Sequence, residues 1–347
     1  MKKIILAVCV LFIGVSFVFI ATELTKAPEK AVSYAIPSEM AKQETNRGLL
    51  LINQKEYQQA IAILQSDSLK EDANAQFWLA VALYKSGEHF SAGEFFLQAA
   101  EMGDPWAMSI MGGGDESLYS NSPCGYLGWG CDDKWHDKAL TRWKELAEQG
   151  DPDALYAVTV IEHEWWHYID SYRYQHLLAL YEQAIPNGGG YAFFDRYRLK
   201  AKDSVKYLTM AANRGYAPAM VDLYKTGLLS EEEASKWIHK ALSLGYVGAA
   251  ANLYFKYWRD GKGNGESKEE HKQAYYYSYL SSELGYSIGA FNLLRTPVYD
   301  ESGNITYEVH VTTSEQAEIE RNANALLNNI KKNDFLIKSS DSIFSLN

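Results

Sequence analysis

The sequence has 347 residues, is 47% hydrophobic and 14% aromatic, and contains only 8 prolines, which supplies a large core and excludes a disordered chain. Its 33 basic residues stand against 44 acidic ones, a formal net charge of −11, which argues against nucleic acid as a partner. A basic protein partner, or solubility alone, accounts for such a balance.

The chain begins MKKIILAVCVLFIGVSFVFIATELTK, with Lys2 and Lys3 ahead of an apolar run from Ile4 to Ala21. As a helix that run spans about 27 Å, close to the ~30 Å of bilayer hydrocarbon. Signal-peptidase sites are poor here: Ala21 has Phe19 two places before it, and Ala27 is followed by Pro28. Residues 1–27 therefore read as an uncleaved inner-membrane anchor, with a cleaved signal peptide as the alternative. The paired lysines hold the N-terminus in the cytoplasm, so the remainder faces the periplasm, and residues 28–40 read as a linker.

Next come NRGLLLINQKEYQQAIAIL and ANAQFWLAVALYKSGEHFSAGEFFLQAA, each a pair of apolar-periodic segments around a turn, with Gly87 at the turn of the second. They look like tetratricopeptide-type hairpins and occupy residues 41–102. The stretch SPCGYLGWGC follows. In an oxidising compartment Cys124 and Cys131 favour a local disulfide that needs only a turn, which the intervening glycines permit. Metal ligation and free thiols remain open, although His136 alone joins the pair nearby and zinc wants about four ligands.

Internal similarity carries the most information. SAGEFFLQAAEMGDPWA, DKALTRWKELAEQGDPDA, SVKYLTMAANRGYAPAM, EASKWIHKALSLGYVGAA and QAYYYSYLSSELGYSIGA align on Gly103, Gly150, Gly215, Gly245 and Gly285. A small residue stands eleven places before each glycine (Ala92, Ala139, Ser204, Ala234, Ala274) and another four places after it (Ala107, Ala154, Ala219, Ala249, Gly289). Eight places after come Met111, Val158, Leu223, Leu253 and Leu293. Small residues let helices approach and the glycine caps the first of them, so the unit is a repeated helical hairpin.

This spacing, clearest in AANRGYAPAMVDLYKTG, resembles the Sel-1-like repeat family, an α-solenoid relative of tetratricopeptide repeats. The resemblance implies an all-α solenoid of stacked hairpins, with Sel-1-like repeats over 103–295. The longer gaps, between Gly103 and Gly150 and between Gly150 and Gly215, then carry two insertions, which in solenoids often mark the binding face. Binding is expected from the concave surface and these insertions. Tyr126, Trp129, Trp135, Trp165 and Trp166 are the candidate partner-binding anchors, aromatic rings being favoured at hot spots; packing of each ring in the core is the competing reading.

The second insertion also contains HEWWH. On a helix, His163 and His167 would share a face as zinc ligands, with Glu164 as general base. The metzincin extension fails at Asp170 and Arg173, leaving Glu182 or His176 as substitutes, and a zinc peptidase is the disfavoured reading. No phosphate loop, nucleophile elbow or paired-carboxylate site accompanies it, so the sequence reads as non-enzymatic and without a cofactor.

Residues 296–347 depart from the repeat. TPVYDESGNITYEVHVTT predicts a small β-hairpin around Ser302-Gly303-Asn304. Thr313 and Gln316 predict a capping box for a helix with Ile319, Ala323, Leu326 and Ile330 on its apolar face, which caps the stack, and SSDSIFSLN reads as a frayed tail. Exported proteins that resemble this one in repeat type and size neutralise phospholipase effectors delivered by type VI secretion. The resemblance therefore implies an immunity protein whose partner is a secreted (phospho)lipase toxin; a general envelope adaptor is the alternative.

Overall fold

Aspartates start several of the helices. Asp72, Asp104 and Asp151 sit in extended backbone, and each Oδ1 accepts from two N–H groups of the following turn at 2.8–3.2 Å. Pro105 and Pro152 then open their helices at the position where a missing N–H costs nothing. The computed structural model describes residues 39–344 apart from 115–116, 120–122, 163, 197–198, 264–266, 289–293, 331–336 and 339–340. The apolar run of residues 4–21, and with it the expected anchor or signal peptide, lies outside the described residues. Among those described, no helix is long and apolar enough to cross a membrane.

The helices pair along the chain. Helices α1 (Glu39–Asn53) and α2 (Tyr57–Leu64) form the first hairpin, and α3 (Ala73–Lys85) and α4 (His89–Glu101) the second. Helix α5 (Pro105–Gly112) packs on α7 (Lys134–Glu148) across a loop that holds the short α6 (Pro123–Tyr126). Helix α8 (Pro152–Ile161) is followed by α9 (Asp170–Ala184), and α10 (Ala192–Arg196) by α11 (Ala201–Asn213). Helices α12 (Ala217–Lys225) and α13 (Glu231–Ser243), then α14 (Val247–Gly263) and α15 (Lys268–Glu283), complete an all-α solenoid of stacked hairpins. Antiparallel strands β1 (Arg295–Tyr299) and β2 (Ile305–Val309) and helix α16 (Thr313–Leu327) follow.

Gly103, Gly150, Gly215, Gly245 and Gly285 share one local geometry, which explains their spacing. All five have φ between 77° and 110°, and the residue after each donates across the helix end to the carbonyl five places back, as Asp104 does to Ala99 and Tyr216 to Ala211. This Schellman cap needs a residue in the left-handed region, where glycine has no steric penalty. Four places on, Ala107, Ala154, Ala219 and Ala249 are at most 1% exposed, so a larger side chain there would push neighbouring helices apart. Gly289 and Leu293 of the fifth copy lie outside the described residues.

The same cap recurs at Gly188, with φ 88° and a bond from Gly189 to the Ala184 carbonyl. This corrects the reading of the second insertion. The stretch of residues 160–197 is not a plain excursion: α9 packs back on α8, and the short α10 after the cap also touches α8. Ala192, four places after Gly188, is buried like its counterparts. The copy escapes detection because α10 spans only Ala192–Arg196 and Leu177 stands where the other copies have a small residue.

Two corrections concern the C-terminal part. The capping box of α16 is one residue upstream of expectation: Thr312 accepts from the Glu315 N–H while the Glu315 carboxylate accepts from the Thr312 N–H at 2.8 Å. Both registers offer a Thr three places before an acidic or amide residue, and the ion pair of Glu315 with Lys272 at 2.9 Å helps select the upstream one. Within the expected frayed tail, the described residues 341–344 are ordered against the stack. Asp341–Phe344 forms a 3-10 turn in which Ile343 is fully buried and Phe344 is 6% exposed. Phe344 packs against Tyr84, Phe96 and Tyr119 at ring-centroid distances of 5.2–5.8 Å and accepts from the Tyr84 hydroxyl at 3.0 Å. Upstream, Lys338 pairs with Asp104 and lies 4.4 Å from the centroid of Phe77. The apolar core forms two clusters, one built on α1 to α8 and one from α8 to α16; Phe344 belongs to the first and Ile337 to the second.

Candidate interaction surface

The loop between α5 and α7 is built inward. Cys124 and Cys131 are joined with Cα atoms 5.3 Å apart, and Cys124 is fully buried. Gly113, at φ 65°, makes room for the bridge, since a Cβ there would stand 2.5 Å from Cys124 Sγ. Behind it Trp129 donates its indole N–H to the His89 carbonyl at 3.0 Å and packs on Phe96 at 5.4 Å. The bridge closes a short loop, so replacing both cysteines with serine is expected to cost about 2.5 kcal/mol. Urea midpoints of oxidised wild type and double variant check this, and full reduction of the wild type should remove the difference.

Three of the five expected anchors are thereby corrected. Trp129, Trp135 and Trp166 are all at most 9% exposed. Trp129 fills the space over Gly93, Trp135 sits at the start of α7 flanked by the Lys134 and Lys138 ammonium groups 5.0–5.2 Å from its ring, and Trp166 is stacked between His167 and His176 at 3.6 and 4.5 Å. Large rings bury so much apolar area that they serve packing before contact. The Tyr126 side chain lies outside what the structure describes.

HEWWH does not occupy one helix, which corrects the zincin geometry. Helix α8 stops at Ile161, Glu164 is extended at φ −78° and ψ 163°, and Trp165–Tyr168 forms a 3-10 turn. His167 Nδ1 accepts from the Glu164 backbone N–H at 3.0 Å, so the proton resides on Nε2, which donates to the Thr159 carbonyl at 3.0 Å. The Glu164 carboxylate accepts the Trp166 indole N–H at 2.8 Å. Both side chains are engaged in holding the turn, and His163 lies outside the described residues. The proposed substitutes are also occupied: His176 stacks on Trp166, and Glu182 binds Lys206 and Tyr207. No group of three or more His, Cys, Asp or Glu arranged for a metal occurs among the described residues.

What the turn presents outward is a set of apolar side chains. Trp165 is 60% exposed and meets Tyr172 edge to face at 5.3 Å; Tyr168, Ile169 and Tyr172 are 77%, 44% and 52% exposed. Arg173 fixes the junction by donating to the His167 carbonyl at 3.0 Å and pairing with Asp170. Of the exposed apolar residues here, the sequence reading named Trp165 alone. Tyr168 and Tyr172 carried a signal: they are spaced one helical turn apart yet fall out of phase with Leu177, Tyr181 and Ala184, the buried stripe of α9. Elsewhere the stack is partly covered already, since the tail lies on Phe77, Tyr84 and Phe96.

A half-buried acid lies in the first turn of α8. The Asp153 carboxyl accepts from the Gly190 N–H at 2.8 Å and sits beneath the Gly188–Gly190 turn. Burial pushes its pKa up to about 6 against the bond from Gly190, with Asp151 adding to the rise and Lys338 opposing it. The folded state thus holds this proton more tightly than the unfolded chain. That stabilisation is complete below the ordinary value of 3.8 and is lost as pH rises through about 6. Unfolding free energy is expected to increase by about 1 kcal/mol between pH 7 and pH 5, and Asp153→Asn should flatten that dependence in denaturant titrations. Glu315, held near 2 chiefly by the Thr312 N–H and Lys272, acts with the opposite sign only below its usual range, outside this window.

No protein-family model and no curated protein matches the chain. Among solved structures it is similar to a Sel1 repeat protein from Oxalobacter formigenes, at 20% identity over 69% of this chain and 99% of that one, with a TM-score of 0.38. It is also similar to a protective antigen of uropathogenic Escherichia coli displaying an SLR fold, at 17% identity over 84% of this chain and 62% of that one, with a TM-score of 0.40.

Proposed function

We propose that this chain is a non-enzymatic Sel-1-like repeat protein of the bacterial envelope that works by binding another protein. Its most concrete role is that of an immunity protein occluding a (phospho)lipase toxin delivered by type VI secretion into the periplasm. The observation that carries binding is the set Trp165, Tyr168, Ile169 and Tyr172: solvent-facing apolar side chains, three of them aromatic, on a segment pinned from behind by His167, Glu164 and Arg173. Pinned rings lose little entropy on contact, which is what a hot spot requires. The export signal read in residues 1–27 and the acidic balance support a toxin-facing role, and the Cys124–Cys131 bridge suits an oxidising periplasm.

The test is capture from the envelope fraction of the host by the tagged full chain, with mass spectrometry of what co-elutes. One stoichiometric lipase is the expected result. Trp165→Ala combined with Tyr172→Ala is expected to weaken its capture by roughly 30-fold or more with unchanged thermal unfolding, both rings being exposed. Undiminished capture would remove this surface from the proposal. Many substoichiometric envelope proteins would instead identify an adaptor.

A further inference from the structure

The β1–β2 hairpin has one blocked edge and one open one. The His310 N–H donates to the Leu294 carbonyl and the Asp300 N–H to the Asn304 carbonyl, both at 2.9 Å. With Arg295 opposite Val309, Pro297 opposite Tyr307 and Tyr299 opposite Ile305, the even-numbered residues exchange the ladder bonds and the odd-numbered ones turn their backbone groups outward. Pro297 therefore stands on the outer edge of β1 where an N–H would otherwise project, and it blunts that edge. On β2, the outward groups of Ile305, Tyr307 and Val309 receive no hydrogen bond from any other described residue. These residues are 48–56% exposed, and with Tyr299, at 74%, they form one apolar face, bordered by Arg295 over the Tyr307 ring at 4.7 Å. A two-stranded ribbon exposed on both faces is marginal in water unless something covers it.

We propose that β2 is a homodimer interface, in which β2 of a second copy adds antiparallel across a two-fold axis at Tyr307. In this register Ile305 faces the second copy's Val309, Tyr307 faces its equivalent, and each of these pairs exchanges ladder bonds through the outward groups. Thr306 faces Glu308, so no like charges meet despite a chain charge of −11. Sliding the strands so that Glu308 faces its own copy sets two carboxylates against each other, which sheets disfavour. The apolar faces merge into one four-stranded surface. Both outer edges of that sheet are then β1 with Pro297, so addition ends at two copies and gives a closed, isologous assembly. A register that keeps the lone carboxylate of Glu308 away from its own copy, together with this asymmetric edge protection, favours a second copy over a foreign strand.

Sedimentation equilibrium of the full chain in mild detergent tests the proposal. So small an interface predicts a dimer with Kd of roughly 10–100 μM. Thr306→Lys places a cation opposite Glu308 twice per dimer and is expected to tighten it roughly 2- to 30-fold, while Thr306→Glu weakens it by a similar factor. Tyr307→Pro removes the central outward N–H without taking a β1–β2 bond and should abolish the dimer. Thr306 is exposed, so its variants keep the fold even if the proline variant does not. A monomer at all concentrations, a dimer indifferent to the sign of the charge at 306, or a different protein crosslinked along β2 would each overturn the proposal.

Discussion

Phe344→Ala is expected to lower the unfolding free energy by about 3–5 kcal/mol, although the residue lies in the last turn of the described chain. Its ring is enclosed by Tyr84, Phe96 and Tyr119. Those residues belong to α3, α4 and the loop after α5, elements whose other contacts fix them, so the site cannot collapse around an alanine. The loss is then the transfer free energy of a buried ring plus a cavity term. Urea unfolding followed by circular dichroism measures it, with the slope checked for a constant two-state m-value. A cost below about 1 kcal/mol, the scale of an exposed substitution, would mean that the segment peels from the stack in solution.

Trp129→Ala is expected to be about as costly, 3–5 kcal/mol, and its neighbour Gly93 to respond with inverted sign. Gly93 lies inside α4, where exchanging glycine for alanine ordinarily gains about 0.5–1 kcal/mol. Here a Cβ would stand 2.2 Å from Trp129 Cδ1 and Nε1. The indole cannot yield easily, because its N–H is bonded to the His89 carbonyl and its face rests on Phe96. Gly93→Ala should therefore destabilise by about 1–3 kcal/mol. In the Trp129→Ala background the clash is gone and the helical preference returns, so the same substitution should become stabilising. A double-mutant cycle read by thermal or urea unfolding gives this change of sign, and additivity would show that the two residues do not oppose each other.

The repeat was legible because it is made of local chemistry. A glycine in the left-handed region and an alanine at a helix crossing are demands that almost no other residue meets, so they recur at fixed offsets. The hairpin around Gly303 was legible for the same reason. What escaped was set by long-range packing. The cap at Gly188 is chemically identical to its siblings, yet the short α10 and bulky Leu177 hide it. The first turn of the chain hides its geometry differently: Lys55 takes φ 61° at a position where the next hairpin has Gly87, so a glycine search cannot find it. Aromatic rings were read as contact anchors, but Trp129 and Trp166 differ from Trp165 only in which way the backbone turns them. HEWWH is a pattern without its helix, because α8 ends before it. The buried tail had a hint in Ile343 and Phe344, two large apolar residues in a serine-rich segment.

The tail also sets the order in which the molecule can be completed. In a stack whose units touch only their neighbours, each hairpin can fold as soon as it is made. Here the contact between Tyr84 and Phe344 spans 260 residues of sequence, so the early hairpins remain open along α3 and α4 until the far segment arrives. Closing so long a loop is slow compared with local pairing. The hairpin of α3 and α4 can therefore form early, but the surface it offers to Phe344 is covered only when the far segment docks.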